Sequence, residues 1–547
     1  MGKPKILIVG GGIGGLSCAT ALAETGKFDI HLYESDIIGG QASSKKSKLC
    51  NTEISWRIFC AGYNNLFKIM IDNKTINNLY EANGKDGHVC TDFGYFNPGS
   101  NINLISSILN NCNYEQINKI LTLFFLSKER AITSYHNVKA SEYFDSNVMN
   151  LVLGPYLGLE TKKITLSAYY KYIFGLYNKS LYTDKISVTK YPTNDSLFIP
   201  WKNDLLKKGV KIYEHHEMND IKTDTNGKIN GVIINNRQYN ADEIIFACSL
   251  KPLINIFNNN FNLKKTLINE KLNVLKNGQQ FYITVNFYWK VPIIKSKTCH
   301  IFTFQDGWMP IIIKRFIETD YVENNCNKNI KEVWNIGVVD YVFGNYVKKY
   351  SSKCSYDEIV YEIKMNLINS SHFNNIGITK NSWNDLFYDY EFDDRYQKKL
   401  PASEKFSINK GIEENLLNNY EPELGKNIYF SAYYVKNSAG GASMETSCEV
   451  GLTTADLICK KYNYDNPREP KLKTNYYIFA ILLPFVLLDF ILYKLQLRPI
   501  TDFIYPLLLL LIYVVVILIS LYKLITFTYK TLNTKSKFFS KLYKYLF

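Results

Sequence analysis

The first 35 residues pass from an apolar run to a helical apolar pattern and back. Residues 5–9, KILIV, form a short run rich in branched side chains, as in a buried parallel strand. Residues 16–26, LSCATALAETG, carry apolar side chains at helical spacing and end in glycine. Residues 28–34, FDIHLYE, predict a second strand. The order of strand, helix and strand predicts the beginning of a Rossmann-like α/β sheet.

The turn between the first strand and the helix carries spaced glycines. Gly10 allows the tight turn, Gly12 lets the backbone approach a pyrophosphate, and Gly15 lets the helix pack close to the strand. The helix N-terminus presents N–H groups and a positive dipole end to phosphates. Glu34 follows at the distance where a carboxylate accepts hydrogen bonds from an adenosine ribose. The dinucleotide-binding residues predicted for this unit are Gly10, Gly12, Ile13, Gly14, Gly15 and Glu34.

Further along the chain, the apolar spacing separates a helical part from a strand-rich part. Residues 66–190 are predicted to be largely helical, and 251–420 are predicted to contain strands. The clearest helical segments are 101–111, 115–128 and 167–178. The clearest strand segments are 279–289 and 333–344.

The C-terminal part contains two long apolar segments. Residues 475–493 include Pro484 and Asp489, whereas residues 503–522 contain no charged side chain. Since a bilayer core requires roughly 20 helical residues, both are predicted to span a membrane as a hairpin, with a re-entrant or interfacial helix as the alternative for the first. Lysines flank the hairpin on its outer sides, including the basic tail 523–547. The positive-inside rule therefore predicts that the body and the tail lie on the cytosolic side.

Composition narrows the choice of partner and compartment. A chain of 547 residues needs more than one domain core. The formal net charge is +14, but no RRM, zinc-finger or helix-turn-helix pattern accompanies it, so no nucleic-acid partner is predicted. The 11 cysteines show no CxxC pair and no metal-ligand spacing, which favours scattered thiols in a reducing compartment and no metal site. No secretory h-region follows Lys5, so the body is predicted to fold in the cytosol.

A diglycine loop follows Glu34 at a distance typical of FAD enzymes. Gly39 and Gly40 open the segment GGQASS, and YNNLFKIM follows at residues 63–70. On these segments the chain resembles the flavin-dependent amine oxidase/phytoene desaturase superfamily, most closely the carotenoid (ζ-carotene/phytoene) desaturases. Residues 196–253 and 426–458 are similar to the middle and closing segments of that family.

The resemblance implies non-covalent FAD and further residues that contact it. A helix beginning near Met444 would direct its N-terminus at the flavin, where the helix dipole stabilises negative charge. The additional cofactor-binding residues implied in this way are Gly40, Gln41, Met218, Ala247, Tyr433, Met444 and Glu445.

The resemblance also implies a domain order. FAD-binding pieces are expected at 1–65, 191–250 and 421–465, a mostly helical substrate or lid part at 66–190, and a substrate-domain sheet with helices at 251–420. The predicted fold class is α/β: a discontinuous Rossmann-like FAD-binding domain with an inserted α+β substrate domain and a C-terminal transmembrane helical hairpin.

The chemistry implied by a flavin leaves few catalytic side chains to predict, because the cofactor accepts the hydride itself. Arg57 is a weak catalytic candidate, either as a cation under the flavin or as a salt bridge at a domain boundary. Glu445 is predicted to cap or charge its own helix near the cofactor. Lys290 either corresponds to the flavin-proximal lysine of amine oxidases or is a solvated lysine at a strand end. His215 and His216 are predicted to be surface imidazoles without partners.

Three functions are compatible with these features. The first is a membrane-anchored desaturase or dehydrogenase that removes hydride from a lipophilic, isoprenoid-like substrate and passes electrons to a quinone or oxygen. The second is a flavin amine oxidase. The third is a catalytically degenerate flavin-fold membrane scaffold, which departures from the family pattern at Gln41, 55–57 and 431–433 suggest.

Overall fold

The computed structural model covers most of the N-terminal body of the chain. The described residues are 2–53, 58–81, 89–91, 94–96, 115–116, 119, 135, 137–144, 163–176, 182, 187–280, 282–294, 301–302, 307–308, 311–315, 322, 326–340, 342–392, 405–406, 408, 411–438, 441 and 443–470. All of them belong to one compact unit, Met1–Lys119 with Ile132–Asn475. The second unit, Ile120–Ala131 with Tyr476–Phe547, contains none of the described residues.

Several sequence predictions therefore fall outside the described residues. They are the apolar segments 475–493 and 503–522 with the tail 523–547, Arg57, the helical segment 101–111 and most of the helical segment 115–128. Among the residues that the structure describes, no helix has both the length and the apolar character needed to cross a membrane.

The strands of the described part are, in chain order, β1 Lys5–Val9, β2 Asp29–Tyr33, β3 Ser44–Lys45, β4 Thr52–Glu53, β5 Ile58–Phe59, β6 Leu79–Glu81, β7 Val89–Thr91, β8 Gly94–Phe96, β9 Ser187–Thr189, β10 Lys211–Tyr213, β11 Met218–Thr223, β12 Ile229–Ile234, β13 Arg237–Tyr239, β14 Glu243–Phe246, β15 Gln279–Gln280, β16 Tyr282–Trp289, β17 Ile301–Phe302, β18 Ile311–Arg315, β19 Glu332–Val339, β20 Phe387–Phe392, β21 Lys405–Phe406 and β22 Ile428–Phe430. Its α-helices are α1 Ile13–Glu24, α2 Asn64–Asp72, α3 Ala140–Tyr143, α4 Leu166–Leu176, α5 Ile199–Lys207, α6 Leu250–Asn259, α7 Leu267–Leu275, α8 Tyr356–Asn369, α9 Ser371–Asn375, α10 Trp383–Leu386 and α11 Met444–Lys461.

A five-stranded parallel sheet forms the first layer, with strand order β10-β2-β1-β14-β22. The central strand β1 is apolar because both faces of the sheet are covered, and Ile6, Leu7 and Ile8 are fully buried. The strands come from three stretches of chain that lie far apart in sequence. The predicted Rossmann-like α/β fold with a parallel sheet is confirmed.

A seven-stranded, mostly antiparallel sheet forms the second layer, with strand order β20-β16-β19-β18-β17-β7-β8. Its two longest strands, β16 and β19, lie in the segments predicted as strands, apart from Glu332 at the start of β19. One face of the pair packs its large side chains, Phe287, Trp289 and Trp334 among them, against Ile359 and Ile363 of α8. The helix α4 lies within the predicted helical segment 167–178, apart from its first residue.

One prediction about cysteine is wrong. Cys50 and Cys326 form a disulfide, at a point where their backbones also form an isolated β-bridge. The reason is tertiary, because the loop after β3 meets the chain entering β19. The other cysteines whose side chains the structure describes form no disulfide, namely Cys18, Cys60, Cys248, Cys354, Cys448 and Cys459.

Candidate functional site

The turn after β1 is shaped by close contact with the neighbouring strand. Gly10 has φ +115°, a conformation that favours glycine, and its N–H donates to the carbonyl of Tyr33 at 2.8 Å. A Cβ at Gly10 would lie 2.6 Å from the carbonyl carbon of Ala247, at the end of β14. The turn therefore passes along the carboxyl ends of β1, β2 and β14, the edge of a parallel sheet where ligands bind.

The first turn of α1 is packed closely against other backbone. A Cβ at Gly15 would lie 2.0 Å from the carbonyl oxygen of Gly10, and a Cβ at Gly14 would lie 2.1 Å from that of Ser431. From the other side, a Cβ at Gly451 of α11 would lie 2.3 Å from the carbonyl oxygen of Gly14. Ile13, which begins α1, is buried. Glycine at 14 thus brings α1 against α11 and the end of β22, and glycine at 15 brings α1 against the turn after β1.

Gly12 stands apart from its neighbours because the space beside it is open. A Cβ at Gly12 would meet no atom within 4 Å. Gly12 is the N-cap of α1, where no side chain caps the helix and no acid occupies the first turn. The backbone N–H groups of this turn and the positive end of the helix dipole suit a pyrophosphate. The diglycine loop borders the same space, since Gly39 donates its N–H to the carbonyl of Gly11 at 2.9 Å.

Glu34 lies at the end of β2 with its carboxylate against the same turn. Its Oε2 accepts from the N–H of Gly11 at 2.6 Å, and its Oε1 accepts from the N–H of Asp36 at 3.0 Å and the hydroxyl of Ser35 at 3.2 Å. A carboxylate accepts about four hydrogen bonds, so capacity remains for a ribose hydroxyl. Burial raises the pKa of Glu34, and the N–H groups of Asp36 and Gly11 oppose that rise.

An aromatic cluster that the sequence did not predict borders Glu34. The rings of Tyr33 and Tyr213 stack with centroids 4.7 Å apart, and the ring of His216 lies 5.9 Å from Tyr33. The backbone N–H of His216 donates to the carbonyl of Glu34 at 2.8 Å. The imidazole Nδ1 of His216 lies 2.8 Å from the carbonyl oxygen of Glu214. The prediction of a partnerless surface imidazole is therefore wrong for His216, because β10 brings it back to the end of β2.

The structure gives the local surroundings of four further residues that were predicted to bind the cofactor. Met218 is the buried first residue of β11, Tyr433 is buried after β22 with its ring 5.3 Å from Phe406, and Met444 is half-buried at the start of α11. Gln41 places its Nε2 3.4 Å from the hydroxyl of Ser249.

Glu445 does not cap its own helix. The N-terminus of α11 is capped by Ser443, whose hydroxyl accepts from the N–H of Thr446 at 3.0 Å. Glu445 is fully buried and accepts from the N–H groups of Asn65 and Leu66, each at 3.0 Å. These groups belong to the first turn of α2, so the predicted cap of its own helix is wrong and the carboxylate caps another helix. Glu445 still places an acidic residue in the first turn of α11, as the alternative prediction of a charge at that helix end requires.

The structure distinguishes the two predictions for Lys290 and adds a site residue that the sequence did not predict. Lys290 is exposed and donates to the carbonyl of Asn384 at 2.7 Å, which agrees with a strand-end lysine. Gly11, by contrast, was not predicted as a site residue although its N–H contacts Glu34. The run of glycines from Gly10 to Gly12 was the available signal for it.

Comparison with known proteins agrees with this geometry. Residues 8–72 match the family model described as an NAD(P)-binding Rossmann-like domain. A search of the curated proteins found no significant match. The segment matched is the one that contains the glycine turn, Glu34 and the diglycine loop.

Solved structures share the fold over most of the chain. An oxidoreductase from Methanosarcina mazei has a TM-score of 0.53 at 14% identity, over 83% of this chain and 100% of its own. Cyclohexylamine oxidase from Brevibacterium oxydans has a TM-score of 0.58 at 12% identity, over 84% and 100%. A redesigned putrescine oxidase has a TM-score of 0.58 at 11% identity, over 84% and 99%. The chain has the fold of these oxidoreductases.

Proposed function

We propose that this protein is a membrane-anchored, FAD-dependent oxidoreductase that removes a hydride from a lipophilic, isoprenoid-like substrate. The observation that carries the proposal is the contact between Glu34 and Gly11 beside the open space at Gly12. It combines a ribose-binding carboxylate with an uncapped helix N-terminus, which is the arrangement that binds a dinucleotide.

The residues present fit FAD. The crevice offers a phosphate site at α1, remaining acceptor capacity on Glu34 and a second glycine loop, Gly39–Gly40, that lies against the turn. When bound, FAD would supply the acceptor for the substrate hydride. The fold shared with two amine oxidases supports the same class of cofactor chemistry.

The chain's own residues would hold and orient the cofactor. Glu34 would fix the adenosine ribose, and the N–H groups at the start of α1 would hold the phosphates. The contact between Glu445 and Asn65 holds α2 against α11, so the two helices keep a fixed position relative to one another. Met218, Ala247, Tyr433 and Met444 complete the proposed set.

Membrane anchoring and the substrate class are proposed from the sequence. The segments 475–493 and 503–522 are long enough for a hairpin, and the flanking lysines favour a cytosolic body. A membrane-held oxidoreductase has direct access to lipophilic substrates, so we propose a lipid-dissolved substrate with a quinone or oxygen as electron acceptor.

A flavin amine oxidase is the second candidate. It is favoured by the fold shared with cyclohexylamine oxidase and putrescine oxidase, two enzymes named for the oxidation of amines. The two candidates make opposite predictions about which compound reduces the flavin.

The test uses the full chain purified in detergent, with its absorption spectrum and FAD content measured first. Anaerobic bleaching by polyisoprenoids but not by amines supports the desaturase proposal, and the reverse result supports the amine oxidase. No bound flavin in the native chain would overturn both. Glu34→Gln should bind FAD more weakly than the native chain, while Lys290→Gln, at an exposed strand end, should bind it equally well. Resistance of the chain to alkaline extraction from membranes tests the anchor.

A further inference from the structure

The seven-stranded sheet has a polar patch on the face opposite its hydrophobic core. On β16, Phe287 and Trp289 face the core side with α8, so the alternate residue Asn286 points to the other face. Asn335 of β19 lies directly opposite Asn286 in the antiparallel ladder. Both side chains are 2% exposed. Two primary amides are thus buried side by side on one face of the sheet.

The hydrogen bonds of the two amides leave one donor group and one acceptor atom without a partner. Asn335 donates through Nδ2 to Oδ1 of Asn286 at 2.7 Å and to the carbonyl of Glu53 at 3.2 Å. Within the described part of the chain, Nδ2 of Asn286 and Oδ1 of Asn335 have no hydrogen-bond partner. Buried amide groups are nearly always paired, so each of these two atoms calls for an explanation.

Exchanging the nitrogen and oxygen positions of either amide does not give every donor and acceptor a partner. Turning Asn335 alone would point its oxygen at the carbonyl of Glu53 and at Oδ1 of Asn286, two acceptors. Turning both amides restores the bond between them, but the oxygen of Asn335 then faces the carbonyl of Glu53. In every arrangement, at least one donor and at least one acceptor have no partner.

A second amide pair in the chain exchanges both of the hydrogen bonds that two such side chains can form. Asn258 and Asn273 exchange two hydrogen bonds, at 3.1 Å and 3.0 Å, and Asn258 is exposed to solvent. The pair Asn286–Asn335 is buried and makes only one of the two bonds. The buried pair therefore lacks one of the two hydrogen bonds that the exposed pair makes.

The position of the pair relates it to the dinucleotide crevice. Glu53, whose carbonyl contacts Asn335, lies opposite Ser44 in the β3–β4 hairpin. Ser44 follows Gly40 by four residues, and Gly40 borders Gly12. Four residues span at most about 14 Å, and paired strands are about 5 Å apart. Glu53 therefore lies within about 20 Å of Gly40, on the chain that leaves the crevice.

We infer that Asn286 and Asn335 form a subsite that binds a hydroxyl group of the substrate. A hydroxyl accepts from Nδ2 of Asn286 and donates to Oδ1 of Asn335, which completes both amides. A carboxylate only accepts, an ammonium only donates, and a hydrocarbon does neither, so each leaves at least one amide atom unpaired. The inference rests on the proposed function and narrows its substrate to lipophilic alcohols.

The experiment compares three probes that share one C15 chain: farnesol, farnesylamine and farnesene. Binding is measured on the full-length, FAD-containing chain in detergent by the change in the flavin absorption spectrum. Farnesol should bind at least about tenfold more tightly than farnesene, a difference of about 1.4 kcal/mol. The double variant Asn286→Leu/Asn335→Leu should retain FAD and bind the alcohol and the hydrocarbon equally. The matched control Asn258→Leu/Asn273→Leu should keep the preference for the alcohol.

Several results would overturn the inference. One is equal binding of farnesol and farnesene, or no binding of farnesol, by a chain that contains FAD. Another is a preference for farnesol that survives in the double leucine variant. Tightest binding of farnesylamine would replace the hydroxyl site by an amine site. Absence of FAD from the native chain is a separate result that contradicts the proposed function itself, so the two failures are distinguishable.

Discussion

Glu445 in the last described helix accepts two hydrogen bonds from Asn65, through its backbone N–H and its side-chain Nδ2, each at 3.0 Å. The two residues are 380 positions apart in the chain. A buried carboxylate at the N-terminus of α2 satisfies donors that have no partner inside that helix and complements its dipole. The contact therefore fastens α2 to α11, next to the parallel sheet.

Glu445→Gln should lower the free energy of unfolding by roughly 1–3 kcal/mol, because the new amide N–H₂ would face the N–H of Leu66 and leave a buried donor unpaired. Ser443→Ala, which removes the cap of α11 itself, should cost about 1 kcal/mol. Thermal unfolding followed by circular dichroism measures both. A glutamine variant as stable as the native chain would contradict the capping role.

Gly12→Ala and Gly14→Ala should have opposite consequences, although the positions are two residues apart. At Gly12 the methyl group enters open space and the backbone conformation is an ordinary extended one, so folding should be nearly unchanged while FAD content falls. At Gly14 the methyl group would lie 2.1 Å from the carbonyl oxygen of Ser431, so stability should fall by about 3 kcal/mol or more. Soluble yield and bound flavin per chain distinguish the two. Full FAD occupancy in Gly12→Ala would contradict the phosphate site.

Glu34→Gln should weaken FAD binding roughly 10- to 100-fold, since a hydrogen bond to a charged group contributes about 1.5–3 kcal/mol. In the native chain, the affinity for FAD should fall as the pH is lowered towards the raised pKa of Glu34, where protonation removes the charge. The Glu34→Gln variant should bind FAD weakly at every pH. Flavin fluorescence released on dilution measures the affinity. Ser35→Ala, which removes only a neighbouring donor, serves as the control.

The same raised pKa has a consequence for stability without cofactor. Because burial makes Glu34 bind its proton more readily in the folded state than in the unfolded state, the FAD-free chain should lose stability as the pH rises from the ordinary value of 4.5 through the raised pKa. Glu34→Gln should abolish that part of the pH dependence. An unchanged pH dependence in the variant would contradict the buried, ionisable state of Glu34.

Arg468→Ala should lower the free energy of unfolding by roughly 1–3 kcal/mol at neutral pH, because Arg468 is largely buried and pairs with Glu24 and Asp72 at 2.6 Å and 2.9 Å. Burial opposes ionisation of both acids, but hydrogen bonds from Arg468 and neighbouring lysines hold their pKa values below the ordinary range. This stabilisation is present above the ordinary values of 4.5 and 3.8 and is lost as the pH falls through the lowered pKa values.

The difference in the free energy of unfolding between the native chain and Arg468→Ala should therefore become smaller at acidic pH. Urea unfolding at neutral pH and below pH 4 measures it. Lys460→Ala, which removes an exposed lysine from its pair with Asp456 on one helix, should leave stability nearly unchanged. A constant difference between the native chain and Arg468→Ala across this pH range would show that packing, and not charge, explains the effect.

Much of the fold near the N-terminus could be predicted from local patterns. The alternation of an apolar run, a helical pattern and a second run sets β1, α1 and β2, because periods of about 2 and 3.6 residues decide which side chains can share a face. The turn glycines and Glu34 follow from the same stretch, since all lie within 25 residues of one another. The strands β16 and β19 were also predictable, because they are long and rich in branched and aromatic residues.

What the sequence by itself determined is the identity of the local elements and the placement of the glycine turn with its carboxylate. Only the tertiary structure decided that Glu445 caps α2 and not α11, that Cys50 meets Cys326, and that Asn286 faces Asn335. A periodic pattern indicates which face of a segment is buried but contains no information about its partner. Partners hundreds of residues apart are selected when the sheets and helices pack, because only then do buried donors and acceptors have to be paired.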